Sequence, residues 1–407
     1  MVQKNKKDIL IGINHFDKVG GSEMYTYTLS ISLQKSGHSI SIFTYNKGFV
    51  AEKLKAECPE ICFLTDLELA NKTFDIALIS HNSIFNLPVN ATHIIQICHG
   101  IFPALEQPSY LADSHISISK EIHEYLENKQ FKSVFIPNPI DLERFTCKTL
   151  IGLELKSILS LCQGQEANEL LQEVCDELGL VLRCHNKFND PVWDLEKAIN
   201  QADLVVSLGR GVIESMACGR SVLVFDHRGY NGSLADGIVT QENIQEIQKN
   251  NFSGRRFRHK PTKEYLIEEL NKYNQSQGSF NQNYARNHFG VSSIITQIWE
   301  IQVTINPDLK SIMQDFYDSL DGRLMILKDS KPYFVKHNMK YYIKSWEEIQ
   351  RIINRFGLID LSIKLFQKHD LDDIPTVPFS HLSQAHRRKN ELRRKIGMSN
   401  RKKLNTN

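Results

Sequence analysis

The sequence predicts an α/β protein made of parallel sheets covered by helices on both faces. Three observations predict this. Short apolar runs are bounded by turn residues, segments of helical period lie between them, and the alternation starts again after residue 145. Two such series imply two similar α/β domains, 1–145 and 146–303. A small α+β module over 310–376 and a basic tail over 377–407 follow.

The elements read in order. DILIGI (8–13) is a buried strand, and a loop with adjacent glycines, Gly20 and Gly21, follows it. Tyr25, Leu29 and Leu33 then recur at helical spacing, Gly37 ends that helix, and HSISIFT opens the next strand. DIALIS (75–80), HIIQIC (93–98), HISIS (115–119) and KSVFIPNP (132–139) are four further strands. The second series begins with strand SILSLC (157–162) and helix EANELLQEVCDELG (166–179). Strand LVLRCH (180–185) and helix VWDLEKAINQ (192–201) come next. Strand DLVVSL (203–208), a helix in GRGVIESMACG and strand SVLVF (221–225) complete the alternation. YARNHFGVSSIITQIWEIQ (284–302) reads as a closing amphipathic helix. Beyond it, short aromatic-rich runs precede a helix, which marks the appended module.

Composition excludes several classes. Of 407 residues, 41% are hydrophobic and 24% charged, as in soluble globular chains, and the formal net charge of +2 argues against nucleic acid as a partner. The eight cysteines contain no CxxC pair, and Cys58 and Cys62 lack partners at zinc spacing, so reduced thiols and no metal are expected. The basic start has an apolar run of about five residues, short of the roughly seven of a signal peptide, and no run approaches the ~20 of a membrane span. A cytoplasmic location is the expectation. Nine Lys/Arg between Arg387 and Lys403 make the tail a solvated segment, or a peripheral contact with the anionic inner face of a membrane.

Open parallel sheets bind ligands at the carboxyl ends of their strands, so two such domains place a ligand in the cleft between them. Gly20 and Gly21 sit between a strand and a helix, where backbone approaches a ligand closely and the helix N-terminus favours negative charge. His99 and Gly100 follow a strand end, as does His81. Gly209 and Gly211 flank Arg210 just before a helix that carries Glu214 one turn in. Turn amides there suit a phosphate, and a carboxylate suits a vicinal diol such as ribose. A capping role would account for the acid but not for the glycines.

These segments resemble the GT4-type glycosyltransferases of GT-B fold. GGSEMYTYTLSISLQKSGHSISIFT is similar to that family's opening, and ISISKEIHEYL with VFIPNPIDLERF to the end of its first domain. ADLVVSLGRGVIESMACGRSVLVFD is similar to its donor-binding segment, and ARNHFGVSSIITQIWEI to its closing helix. The resemblance covers roughly 8–303. It implies two Rossmann-like, doubly wound domains facing across a cleft. It also implies metal-independent, retaining transfer of a sugar from a nucleotide-sugar donor, UDP- or GDP-linked, to a hydroxyl of a glycan or glycolipid acceptor in bacterial polysaccharide or glycoconjugate biosynthesis. Under it Glu214 holds the ribose, Gly20 and Gly21 line the cleft beside the donor phosphates, and His99 contacts the donor sugar. The departing phosphate is itself a destination for the acceptor's proton.

Three departures stand out. The family's second glutamate, eight residues before Glu214, is Val206 here. SLCQGQEAN supplies neither the arginine nor the lysine usual after the first strand of the second domain, and that domain is short between Phe145 and Ala202. Arg210, Arg228 and Arg255 are the expected replacements for neutralising the diphosphate. A catalytically silent partner subunit of the same fold that binds a nucleotide sugar or glycan is the alternative, and a sugar-nucleotide epimerase is a third reading. The module after 310 resembles a small β-rich bacterial repeat without chemistry of its own.

Overall fold

The computed structural model describes residues 6–186, 192–230, 232–303 and five short strands between 323 and 378. Its first domain holds a seven-stranded parallel sheet. The strands are β1 (Asp8–Phe16), β2 (Ser39–Lys47), β3 (Cys62–Phe63), β4 (Thr73–Ile79), β5 (Asn90–Cys98), β6 (Ser114–Ser117) and β7 (Ser133–Phe135), in the spatial order 3-2-1-4-5-6-7. Helices α1 (Gly21–Lys35), α2 (Phe49–Glu57), α3 (Asp66–Asn71) and α4 (Lys120–Asn128) connect them. The second domain holds β8 (Ser157–Ser160), β9 (Val181–Cys184), β10 (Leu204–Ser207), β11 (Ser221–Arg228) and β12 (Gly232–Ile238) in the order 12-11-10-8-9. All its pairings are parallel except that of β11 with β12. Its helices are α5 (Gln165–Leu178), α6 (Leu195–Ile199), α7 (Arg210–Ala217), α8 (Ile244–Lys249), α9 (Lys263–Leu270) and α10 (Ser276–Phe289), and α11 (Val291–Trp299) follows. These are the two expected Rossmann-like, doubly wound α/β domains.

Side chains alternate along a strand, so a sheet buried on both faces needs apolar residues at consecutive positions. In β1, Ile9, Ile11 and Ile13 enter one core and Leu10 enters the opposite one. In β11, Val222 and Val224 face one core while Leu223 and Phe225 face the other. Each sheet reverses its strand order once, between β1 and β4 in the first and between β8 and β10 in the second. The connections leaving these strands diverge there and open a crevice; Gly20 and Gly21 follow β1, and Gly209–Glu214 follow β10.

The sequence reading differs from the structure in three places. The single closing helix is two helices, because Gly290 breaks from helical backbone and its segment runs alongside Ile140. Helix α11 then returns to the first domain, where Ile294, Ile295 and Ile298 join the core that α1 lies against. That cover explains why α1 is buried at nearly every residue from Ser22 to Ile31. Second, β11 continues to Arg228 instead of ending at Phe225, because β12 pairs with it through Arg228 and Gly232. Third, α2, α3 and the antiparallel edge strand β12 carry too little periodic signal to be read from the chain alone.

A third, five-stranded sheet comprises β13 (Arg323–Leu327), β14 (Pro332–Lys336), β15 (Met339–Tyr342), β16 (Lys364–Phe366) and β17 (Thr376–Pro378), in the order 16-13-14-15-17. The helix expected in that module and the basic run 387–403 lie outside the described residues. Among the described residues no helix is long and apolar enough to cross a membrane. All eight cysteines are free.

Truncating Ile294, which is 0% exposed, leaves a cavity between α11 and α1. Ile294→Ala is expected to destabilise the chain by about 2–5 kcal/mol, measured as a lower denaturation midpoint.

Candidate active site in the interdomain cleft

A cavity of about 590 Å³ separates the two domains. From the first domain come Gly20 and Gly21 at the start of α1, His99 and Gly100 after β5, and Glu106. From the second come Gly209, Arg210, Gly211 and Glu214 of the α7 segment, with Arg228 and Arg255. All nine expected site residues therefore line one cleft. Most of that convergence follows from the topology, since the glycine turns after β1 and β10 leave carboxyl strand ends at the switch points and His99 and Arg228 lie at the ends of the neighbouring β5 and β11.

The α7 turn is the most constrained part. Gly209 has φ of 61°, a left-handed conformation natural to glycine, and its amide donates to the Phe252 carbonyl at 2.8 Å. Asn251 and Phe252 also hold positive φ. Such backbone costs on the order of 1–3 kcal/mol per residue and persists where packing fixes it; the fully buried Phe252 ring in the second core does so here. Gly211 lies where a side chain would meet the Ser207 hydroxyl, at 2.4 Å from an added Cβ. The turn aims the first amides of α7 at the cleft, and its helix dipole favours an anion there.

Arg210 and Glu214 are both buried and paired, Nε donating to Oε1 at 2.7 Å. Arg210 also donates from Nη1 to the Pro139 carbonyl and from Nη2 to the Thr28 hydroxyl, each at 2.9 Å. It thus ties α7 to α1 and to the segment joining the domains. Burial pushes the Glu214 carboxyl up from its ordinary range, and the Arg210 charge opposes the rise. One carboxylate oxygen is engaged, yet a carboxylate has acceptor positions for more than one donor.

The other two expected cations are also paired. Arg228 faces the fully buried Asp226, Nε to Oδ2 at 2.7 Å. Arg255 holds Glu121 of α4 through Nε at 2.9 Å and through Nη2, which fastens the second domain to the first. Its guanidinium lies over Phe102, 5.4 Å from the ring centre. Phe102 in turn meets Tyr230 across the cleft mouth, with centroids 5.2 Å apart. The Asp226 carboxylate also accepts from the Gln163 and Gly164 amides, at 3.1 and 3.2 Å. Those amides open α5 in the segment that lacks the usual arginine and lysine. An internal carboxylate therefore sits where that helix start would otherwise meet an anion, and the α7 start is left to face the cleft.

On the first-domain side, burial and then the Arg210 charge push His99 down to about 3. Its ring is neutral, and Nε2 has no hydrogen-bond partner among the described residues. Tyr25 packs edge-on to it at 5.0 Å. His81, the other strand-end histidine, accepts the Asn14 amide at Nδ1 (3.0 Å) and is held well below its ordinary range by burial.

No family model and no curated protein sequence matches this chain. The chain is similar to solved structures. One is a glycosyltransferase from Rickettsia africae, at TM-score 0.49 and 14% identity over 73% of this chain and 97% of that one. Another is TarM, at TM-score 0.46 and 10% identity over 74% and 99% of the two chains. A third is an α-glucosyltransferase crystallised with UDP and a DNA 13-mer, at TM-score 0.46 and 10% identity over 73% and 99%.

Sequence reasoning missed His15, Glu23, Glu106, Thr28 and Asp226. His15 closes on Glu23 at 3.1 Å, Nε2 to Oε1. Glu23, two residues past the glycine pair, was legible as the first acid of α1; the other four carry no pattern in the chain. The hydrogen bond to Glu23 raises His15 above its ordinary 6.5 against opposing burial. A raised histidine contributes stability below its unfolded value, and that contribution is lost as pH rises through the folded one. His15 is about two-fifths exposed, so solvent screens the pair. An NMR titration is expected to place its midpoint above 6.5 and to lower it in Glu23→Gln.

Proposed function

We propose that this chain is a glycosyltransferase. It moves a sugar from a nucleotide-sugar donor, UDP- or GDP-linked, to a hydroxyl of a glycan or glycolipid acceptor, with retention, without a metal, and in polysaccharide or glycoconjugate biosynthesis. The observation that carries this reading is the α7 segment. One wall of the cleft holds the start of α7 at Arg210 and Gly211 and, one turn later, a buried carboxylate on Glu214. The amides meet a diphosphate, the carboxylate meets the ribose diol, and neutral His99 on the opposite wall meets the donor sugar. Developing charge on the departing diphosphate is met by fixed amide dipoles and by arginines that exchange a carboxylate for it. The location proposed is cytoplasmic, with the basic tail as a peripheral contact to anionic membrane.

One observation favours the second reading, a catalytically silent protein of the same fold that binds a nucleotide sugar or glycan. Arg210, Arg228 and Arg255 are each paired with a carboxylate. No cation expected at the diphosphate is without a counter-charge.

A ligand that binds the folded state raises its melting point. UDP or GDP is expected to raise Tm in a thermal-shift series. Glu214→Gln keeps the side-chain shape and removes the charge, and is expected to weaken nucleotide affinity about tenfold or more, since a hydrogen bond to a charged group contributes ~1.5–3 kcal/mol. Unchanged affinity in Glu214→Gln would remove Glu214 from the ribose site. Release of nucleoside diphosphate from radiolabelled donors separates transfer from silent binding.

A further inference from the structure

A second cavity, of about 630 Å³, lies on the first-domain side and shares Gly20, Gly21, His99, Glu106 and Arg210 with the first. Its remaining wall includes Asn14, His15, Asp17 and Glu23 alongside Leu105 and Ile118. The donor reading leaves this space and these groups unused.

Glu106 differs from Glu23 in this wall. Glu23 is held by His15 and by the Ser22 hydroxyl, the latter at 3.2 Å. No hydrogen bond or ion pair among the described residues reaches the Glu106 carboxylate. Its backbone is nevertheless pinned. The Glu106 amide donates to Pro103 at 3.1 Å, and Asn82 Nδ2 donates to the carbonyls of Ala104 and Gln107 on either side, at 2.8 and 3.2 Å. Gln96 Nε2 adds a bond to Gln107 at 2.8 Å. Gly100 makes room for the carboxylate, because a Cβ there would stand 2.6 Å from Oε2. A side chain without a partner, on fixed backbone, in the wall common to two cavities, is placed to act on a bond formed between their occupants.

We infer that Glu106 is the catalytic base of the transfer, accepting the proton of the acceptor hydroxyl bound in the second cavity. This rests on the reading that the donor occupies the first cavity. In the step, the acceptor O–H proton passes to a Glu106 oxygen and the hydroxyl oxygen bonds to the anomeric carbon. The bond from that carbon to the diphosphate breaks, and its electron pair leaves with the diphosphate. The proton balance is the same whichever face of the sugar the oxygen approaches. With Asp17, Glu23 and Glu106 around it, the cavity suits a neutral polyhydroxyl acceptor over an anionic one.

The titratable and charged groups that share the second cavity with Glu106 are Glu23 from α1, His15 from β1, Asp17 and Lys18 from the loop after β1, His99 after β5 and Arg210 from α7. Burial within the cleft walls, then the Glu23 charge, push the Glu106 carboxyl up to about 7, and His15 opposes the rise. A base acts deprotonated, so turnover is expected to rise with pH through about 7 and level off above it.

The test follows nucleoside diphosphate release from radiolabelled UDP- and GDP-hexoses, with water as the acceptor, in the full chain. Glu106→Gln is expected to lower kcat by ~10²–10⁴-fold and to remove the acid limb of the pH profile. Its donor-induced rise in Tm stays that of the unaltered chain, and Glu106→Asp recovers part of the rate with the limb. A Glu106→Gln chain with unaltered kcat and pH profile overturns the inference and sends the proton to the departing diphosphate. Donor binding without any release by the unaltered chain overturns it in favour of silent binding. Absence of a donor-induced rise in Tm in the unaltered chain overturns the donor reading and this inference together.

Discussion

The cleft depends on the buried pair between Arg210 and Glu214. Two opposite charges taken from water are tolerable when their remaining donors and acceptors are met, and removing one partner leaves an uncompensated charge in the interior. Here the remaining donors of Arg210 reach the Pro139 carbonyl and the Thr28 hydroxyl. The side chain that neutralises Glu214 is thereby the one that fixes α7 against α1. A single guanidinium thus both holds the carboxylate in the cleft and contributes to the contact between the two domains. The Arg255–Glu121 pair and the Asn138–Asn251 hydrogen bond, at 3.0 Å, add further ties across the same gap.

Charge pairing runs through the rest of the site. Asp226 meets both the amides that start α5 and the Arg228 side chain. This internal anion accounts for a donor segment that lacks the usual arginine and lysine: those amides are satisfied without a ligand. The anion-attracting role falls to the α7 start, where the left-handed Gly209 and the tethered 251–252 backbone hold the first amides open to the cleft. On the opposite wall, burial keeps His99 neutral, so it offers a hydrogen bond without repelling the Arg210 charge beside it. One cleft thus contains a cationic but compensated wall and an acidic wall with an uncompensated carboxylate.

The strands of both sheets were legible because consecutive apolar residues in short runs signal burial on two faces. The helices α1, α5 and α7 were legible from periodicity and flanking glycines. Elements of two to nine residues with mixed polarity, such as β3, α2 and β12, were not, because their formation rests on pairing with distant strands. The closing helix shows the same limit. Its sequence is helical throughout, and only the pairing of Gly290 with Ile140 and the apolar space beside α1 decide that it breaks and crosses to the other domain.

By itself the sequence determined that the chain folds as two parallel α/β domains and that Gly20, Gly21, His99, Gly209, Gly211 and Glu214 lie at strand ends. Local physics fixes both: side-chain alternation sets the strands, and glycine marks where backbone must turn or approach closely. Tertiary structure alone decided that Arg210 makes the domain contact as well as its local pair with Glu214, that Arg255 is compensated by Glu121, and that Glu106 stands at the shared wall without a partner. The Arg210–Thr28 and Arg255–Glu121 contacts close separations of 182 and 134 residues, and chain order carries no record of such meetings until folding brings them together.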